Sequence, residues 1–235
     1  MRRSLRILGT VLAATGALTL VWALLVWQWQ DPFTALYTKW KQRELTSQYE
    51  KLTRSFGDPI SHESLAAERR SITRAAKRYR ASAKRGQAIG RLRIGRMGVN
   101  MIFVNGTDHD SLKKGPGRDG RTFMPGENRL VYIAGHRTTY GAPFSDINGL
   151  RPGDRVTLEV PYGNFVYSVM RHRIVKATDL SVLRSPRHEL LELQACHPRF
   201  FASHRYIAYA KLVRVEPRGG TPYEPPPLAA QASDK

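Results

Sequence analysis

The N-terminal part of the chain has one long uncharged apolar run, Ile7 to Trp27, directly behind the basic sequence MRRSLR. At 1.5 Å per residue, a helix of this length crosses a hydrocarbon core of about 30 Å. A cleavable signal peptide has an apolar region of only about 7–15 residues, and the bulky VWQWQ end suits a membrane interface. The pattern therefore favours a transmembrane anchor (7–27) over a cleaved signal. Its flanking arginines predict that residues 1–6 form a cytoplasmic tail.

Residues 28–88 have apolar positions mostly at helical spacing. Asp31 can cap a first helix that begins at Pro32, and the GDP sequence at 57–59 breaks that helix. A second helical pattern, from about Ser64 to Lys84, is dense in lysine and arginine. We interpret residues 28–88 as a basic helical stalk near an anionic surface or as a solvated, partly disordered linker.

From residue 89 the pattern changes to short apolar runs that are separated by glycine and proline. RLVYIAG (129–135) has the composition of a buried strand, and similar runs follow it. Six to eight strands at this spacing predict a mostly β fold with a closed barrel of about eight strands over residues 89–215. The Pro-rich tail, 216–235, is predicted to be disordered. The further strand-like runs are GDRVTLEV, GNFVYSVMRHRIV, LLELQAC and RYIAYAKLVRV.

The charge of the chain narrows its possible partners. There are 38 Lys and Arg against 19 Asp and Glu, for a net charge of +19. This balance favours an anionic partner, such as a lipid surface or a phosphate polymer. Because the anchor would place the barrel outside the cell, we expect an anionic membrane surface rather than nucleic acid.

Cys196 is the only cysteine in the chain. In an exported protein a single cysteine is a buried inert thiol, an intermolecular bridge or a reactive nucleophile. A nucleophilic cysteine needs a base or cation nearby, and acyl transfer also needs a donor for the oxyanion. A metal site would need more cysteines or histidine pairs at ligand spacing, which the sequence lacks, so we expect no metal ligands among these residues.

Two residues are candidates to act with Cys196. His136 follows the strand-like LVYIAG, whose end would project it from the barrel rim, whereas His197 would point to the opposite face of the strand from Cys196. Arg205 opens the next strand, and an antiparallel pairing would bring it alongside Cys196 more readily than Arg199. The other five histidines are read as surface residues: His62, His109, His172, His188 and His204.

These residues and their surrounding motifs resemble the sortase family, most closely its class E type from high-GC Gram-positive bacteria. The resemblance lies in the order His, Cys about sixty residues later and Arg nine residues after that, and it covers roughly 90–213. The motifs that carry it are GTDHDSLKKGPGRDG, MPGENRLVYIAGHRTTYGAPFSDINGLRPGD and LQACHPRFFASHRYIAYAKL. The resemblance implies that His136, Cys196 and Arg205 are the catalytic residues.

The sequence departs from the family before the cysteine, where sortases usually have T-L-x-T-C. The corresponding residues run from Glu192 to Cys196 and read ELQAC, so both threonines are replaced. This changes the expected substrate pocket and removes no catalytic group. Candidate substrate contacts are Ala195, Thr138 and Tyr140, although the last two could equally serve only to hold the loop after His136.

The resemblance implies a membrane-anchored cysteine transpeptidase. It would cleave a sorting signal of the L-A-x-T-G or L-P-x-T-G type in exported surface proteins, between Thr and Gly, and transfer the acyl group to a peptidoglycan-precursor amine. Hydrolysis and pilin polymerisation are variants of this chemistry. The alternative from another class is a basic, non-enzymatic module that binds wall polymer and whose thiol is inert.

Overall fold

The computed structural model describes residues 2–29, 32–57 and 64–226. Three long helices come first: α1 (Arg2–Trp29), α2 (Pro32–Ser55) and α3 (Leu65–Ser82). A one-turn helix, α4 (His109–Leu112), lies within the β region. The strands are β1 (Ala88–Ile94), β2 (Val99–Asn105), β3 (Gly117–Arg118), β4 (Leu130–Ala134), β5 (Arg155–Val160), β6 (Gly163–Lys176), β7 (Leu190–His197) and β8 (His204–Pro217).

The eight strands close into one barrel in the order β1-β2-β3-β4-β7-β8-β6-β5. Two neighbouring pairs are parallel, β2 with β3 and β4 with β7, and the others are antiparallel. The predicted mostly β fold with a barrel of about eight strands is therefore confirmed. The parallel β4–β7 pair matters for function, because it brings two distant chain segments to the same rim.

Alternating side chains of the strands fill the barrel with a predominantly apolar core. Leu92, Phe103, Ile133 and Leu158 are among its completely buried members. Burial of such side chains contributes about 1.5–3 kcal/mol each relative to exposure, so the barrel is the stable scaffold on which the site is built.

Helix α3 packs onto the barrel rather than standing apart from it. Ser64 caps its N-terminus by accepting a hydrogen bond from the backbone N–H of Ala67. Ile72 and Tyr79 are buried in the main core, and the Tyr79 hydroxyl donates to the carbonyl oxygen of Ile89 at 2.9 Å. The stalk or linker expected at this position is therefore wrong for α3, because the helix has an apolar stripe that the barrel covers.

Helix α2 is also attached to the barrel. Leu45 and Tyr49 belong to a small buried cluster with residues of β1 and β2. The side-chain amide of Gln42 bonds both the N–H and the C=O of Ile102, at 2.7 and 2.9 Å. The helices expected within 28–88 agree with the structure. The expectation that this segment is a stalk or linker separate from the barrel does not.

The C-terminal segment is ordered as far as it is described. Tyr223 pairs with Val215 of β8, and the guanidinium of Arg69 lies over the Tyr223 ring at 4.9 Å. The predicted disorder is therefore wrong for 216–226, and residues 227–235 lie outside the described part of the chain.

Helix α1 presents its apolar side chains to the exterior. The segment Arg2–Leu24 has 23 residues, contains a stretch of 18 residues with a mean hydropathy of 2.0 and no buried positions, and is long and apolar enough to cross a membrane. Within the described residues it is the one helix that meets this criterion of length and composition.

Candidate active site

The two faces of β7 have different roles. Leu191, Leu193 and Ala195 are completely buried inside the barrel. Because side chains alternate along a strand, Gln194 and Cys196 lie on the outer face, and both line an outer cavity of about 250 Å³. Cys196 is a free thiol and is partly exposed at the C-terminal end of β7, where a substrate could reach it.

Arg205 is the direct partner of Cys196 across the β7–β8 pair. The antiparallel hairpin therefore brings these two residues alongside each other, as expected from the short connection. The Nη1 group of Arg205 donates to the carbonyl oxygens of Ala202 and His204, at 2.6 and 3.0 Å. These bonds hold the guanidinium at the wall of the cavity, which Arg205 lines together with Cys196.

His136 reaches the same cavity from the neighbouring strand. It lies two residues beyond the end of β4, which pairs in parallel with β7. The backbone N–H of Gly135 donates to the carbonyl oxygen of Gln194 at 3.0 Å, which extends the pairing to the level of the site. Of the histidines within the described ranges, His136 is the one that lines this cavity.

The environment of His136 favours a neutral imidazole. Burial lowers its pKa from the ordinary value, and the nearby His109 lowers it further. Nδ1 lies 3.4 Å from the hydroxyl of Thr139. Nε2 is buried and has no hydrogen-bond partner among the described residues. A neutral ring whose Nε2 is not engaged in a hydrogen bond with the described residues can accept a proton from one group and deliver it to another.

The remaining cavity wall comes from two directions. Thr107, Asp119 and Arg121 lie on one side, where the Asp119 carboxylate accepts hydrogen bonds from Arg121. The 3₁₀ turn Leu180–Leu183, in the β6–β7 connection, supplies an apolar side. The cavity therefore has both a polar side and an apolar side.

The three predicted substrate contacts, Ala195, Thr138 and Tyr140, lie in different environments. Ala195 points into the barrel core and is completely buried, so the expectation of a side-chain contact is wrong: parity along β7 puts position 195 on the inner face. Tyr140 packs its ring 4.9 Å from the His136 ring, and its backbone N–H donates to the Thr34 hydroxyl of α2 at 2.8 Å. Thr138 is half-buried. Neither of these two loop residues lines the cavity, and a substrate contact by them stays a prediction.

Arg137 is a residue that the sequence reasoning missed. It is buried, and its Nη1 donates to the carbonyl oxygen of Cys196 at 3.1 Å. The same atom lies 3.0 Å from Nδ1 of His197, and Nη2 donates to Asn148 at 2.8 Å. Arg137 therefore ties the histidine loop to the backbone of the cysteine. The signal for it was its position directly after His136.

The two residues rejected as partners of Cys196 lie outside the cavity. The His197 ring lies beside Tyr206, at 6.2 Å between ring centroids. Arg199 is exposed and pairs with Asp146 at 3.0 Å. Within the described ranges, no group of three or more His, Cys, Asp or Glu side chains comes together as a metal site would require.

The family model of the sortase domain matches residues 92–213, which is more than half of the chain. The chain belongs to the sortase family. The barrel and the cavity beside Cys196 are thus those of a sortase domain.

Two curated relatives come from different sortase classes. Sortase D of Bacillus subtilis is 36% identical over 133 residues, which cover 54% of this chain and 65% of the relative. Sortase SrtE1 of Streptomyces coelicolor is 30% identical over 158 residues, which cover 60% of this chain and 45% of the relative. The chain thus spans less than two thirds of the length of either relative.

Solved sortase structures share the fold. Sortase E1 of Streptomyces coelicolor, with a tripeptide in its active site, has a TM-score of 0.53 and 30% identity and covers 57% of this chain and 93% of its own. Sortase E of Streptomyces avermitilis has a TM-score of 0.51 and 33% identity, with the same coverage. A sortase D5 transpeptidase of Clostridium perfringens, at 23% identity and a TM-score of 0.60, covers 74% of this chain and 98% of its own and supports the fold alone.

Proposed function

We propose that this chain is a membrane-anchored cysteine transpeptidase of the class E type. It cleaves a sorting signal of the L-A-x-T-G or L-P-x-T-G kind in exported proteins and joins the acyl group to a cell-wall precursor amine. The observation that carries the proposal is that Cys196, His136 and Arg205, from three different segments, line one open cavity on the outer face of the barrel.

The first half-reaction forms a thioester. His136 accepts the proton of the Cys196 thiol, the resulting thiolate attacks the threonine carbonyl carbon, and the Arg205 guanidinium stabilises the oxyanion of the tetrahedral intermediate. The C–N bond to glycine then breaks, and the departing amine takes a proton from His136. The acyl group remains on sulfur.

The second half-reaction transfers the acyl group. An amine of the wall precursor attacks the thioester while His136 accepts its proton, and the C–S bond breaks to release Cys196. Water in place of the amine would give hydrolysis by the same route. The neutral imidazole favoured by burial suits the base role, and no metal or cofactor takes part in the proposed steps.

Helix α1 would hold this chemistry at the membrane. Its exposed apolar side chains fit a lipid environment, and by the positive-inside rule Arg2, Arg3 and Arg6 would put its N-terminus on the cytoplasmic side. The barrel would then lie outside the cell. Substrate proteins and lipid-linked precursor share that surface, so tethering raises their effective concentration at the site. The net positive charge would favour an anionic membrane surface.

The test uses the whole chain in detergent micelles, because α2 and α3 are packed on the barrel. We expect L-A-x-T-G peptides to be cleaved between Thr and Gly, with a Cys196 thioester visible by mass spectrometry and an amide product when an amine is added. Failure of every sorting peptide to form the adduct, together with binding of wall polymer, would favour the non-enzymatic module. Rapid, pH-dependent labelling of Cys196 by a methanethiosulfonate reagent distinguishes a reactive thiol from an inert one.

A further inference from the structure

A buried carboxylic acid, Glu192, lies on the same face of β7 as the nucleophile Cys196. Glu192 is four residues before Cys196, so its Cα is about 13 Å away along the strand. It pairs with Tyr132 of β4 and Tyr209 of β8. The side chain lines a cavity of about 300 Å³ that shares Val182 with the cavity at Cys196. The two cavities are therefore adjacent, with Val182 in the wall of both.

The carboxyl group of Glu192 lacks the partners that a buried acid normally has. Glu192 is 3% exposed, and its Oε2 has no hydrogen-bond partner among the described residues. Glu189, the buried acid three residues earlier, accepts hydrogen bonds from the Gly126 and Asn128 N–H groups and from the Tyr167 hydroxyl. A buried polar atom without a partner destabilises the protein, so a ligand that supplies a partner gains binding energy.

Burial raises the pKa of Glu192 to about 8, and Arg171 of β6 acts against this shift. Glu192 is therefore mostly a neutral carboxylic acid at pH 7, with one O–H donor and one carbonyl acceptor. The other titratable groups that face it are Tyr132 on β4 and Tyr209 on β8, and the rim of its cavity carries Arg173, Arg184 and His188.

We propose that Glu192 and its cavity form a subsite for the residue directly before the four acyl-side residues of the sorting motif, and that its carboxyl group binds a side-chain amide there. The proposal rests on the proposed function. If the threonine carbonyl lies at Cys196, an extended peptide can run along β7 toward Glu192. The peptide residue four positions N-terminal to the threonine then reaches the level of Glu192, about 13 Å away. The amide of Gln or Asn complements a neutral carboxyl with one donor and one acceptor, and the basic rim disfavours Lys or Arg.

The experiment compares whole-chain wild type, E192Q and E192L on peptides that carry Gln, Leu, Glu or Lys directly before the motif. The wild type should prefer Gln, and E192Q, which keeps a donor and an acceptor, should keep that preference. E192L should raise KM for the Gln peptide by about three- to tenfold relative to KM for the Leu peptide, as loss of one neutral hydrogen bond would. Equal use of Gln and Leu by the wild type, or a preference for Glu, would overturn the subsite.

The pH dependence provides a second readout that does not depend on E192L folding. In the wild type, KM for the Gln peptide should rise above about pH 8, when Glu192 loses its proton, whereas E192Q should show no such rise. Identical profiles for the two proteins would refute the assignment.

A binding measurement separates this inference from the proposed function. If no peptide is cleaved, fluorescence polarisation with C196A and C196A/E192L reports the subsite alone. Tighter binding of the Gln peptide to C196A than to the double variant upholds the subsite without catalysis. Equal binding, or none at all, rejects it.

Discussion

The two faces of strand β7 are built from opposite chemistry. The inner face consists of Leu191, Leu193 and Ala195, which are completely buried in the barrel core. The outer face presents Gln194 and Cys196 to the groove. One strand therefore supplies stability through one face and reactive groups through the other, because its side-chain period is two. Substitutions on the two faces should change different measurable quantities, and the following four variants test that separation.

The largest effect should come from the outer face at Cys196. We expect C196A to abolish thioester formation and turnover, because the nucleophile is lost, while the melting temperature stays close to that of the wild type. Peptide cleavage and thermal unfolding measure the two quantities. Wild-type activity in C196A would exclude the covalent route. A large fall in its melting temperature would show that the outer face of β7 also contributes to stability.

Arg205 should show the next largest effect. R205K replaces a planar fork with an ammonium group, which does not reproduce its hydrogen-bond geometry, so kcat should fall by roughly 10²–10³-fold. R199K is the matched control, since Arg199 is exposed and pairs with Asp146 outside the cavity. Similar losses in both variants would indicate a general charge effect rather than oxyanion stabilisation.

The inner face should respond in stability instead. L193A removes a completely buried side chain from the core and should lower the free energy of unfolding by about 2–5 kcal/mol. At a temperature where the variant is still folded, turnover per active site should match that of the wild type. Denaturant unfolding and active-site titration of Cys196 check this pair of expectations, and a fall in turnover without destabilisation would contradict them.

The smallest effect concerns the pH dependence of stability at Glu192. Its pKa is raised from the usual carboxyl value to about 8 by burial, so its contribution to stability is complete below that usual value and is lost as the pH rises toward 8. E192Q carries no ionisable group at this position. The melting temperature of E192Q minus that of the wild type should therefore be larger at pH 8 than at pH 4. If the difference in melting temperature between the two proteins stays constant from pH 4 to pH 8, burial does not raise the pKa of Glu192.

Local patterns predicted much of the barrel and of the site. The strand-like runs at 129–135 and 190–196 became β4 and β7, and the short link before Arg205 predicted its pairing with Cys196. Both inferences depend on periodicity and chain connectivity, which act over a few residues. His136 was a candidate because it follows the strand-like LVYIAG, and its place beside the same cavity comes from the parallel β4–β7 pair.

Other features depended on surfaces that are distant in the sequence. Helices α2 and α3 were read as a stalk because their many basic residues hide a narrow apolar stripe, and only the barrel surface shows that the stripe is covered. The contact from Arg137 to the backbone of Cys196 spans 59 positions, and no local pattern encodes it. Ala195 was expected to contact the substrate, but it lies on the inner face of β7, where the barrel core covers it completely.

By itself, the sequence determined the apolar N-terminal helix, the class of the barrel and the residue types available for acyl transfer, because composition and short-range periodicity carry that information. Tertiary structure decided which of those residues meet, how deeply His136 and Glu192 are buried and which helices join the barrel. Burial and proximity are properties of several chain segments together, and the free energies that shift a pKa or orient a guanidinium arise only when those segments are packed.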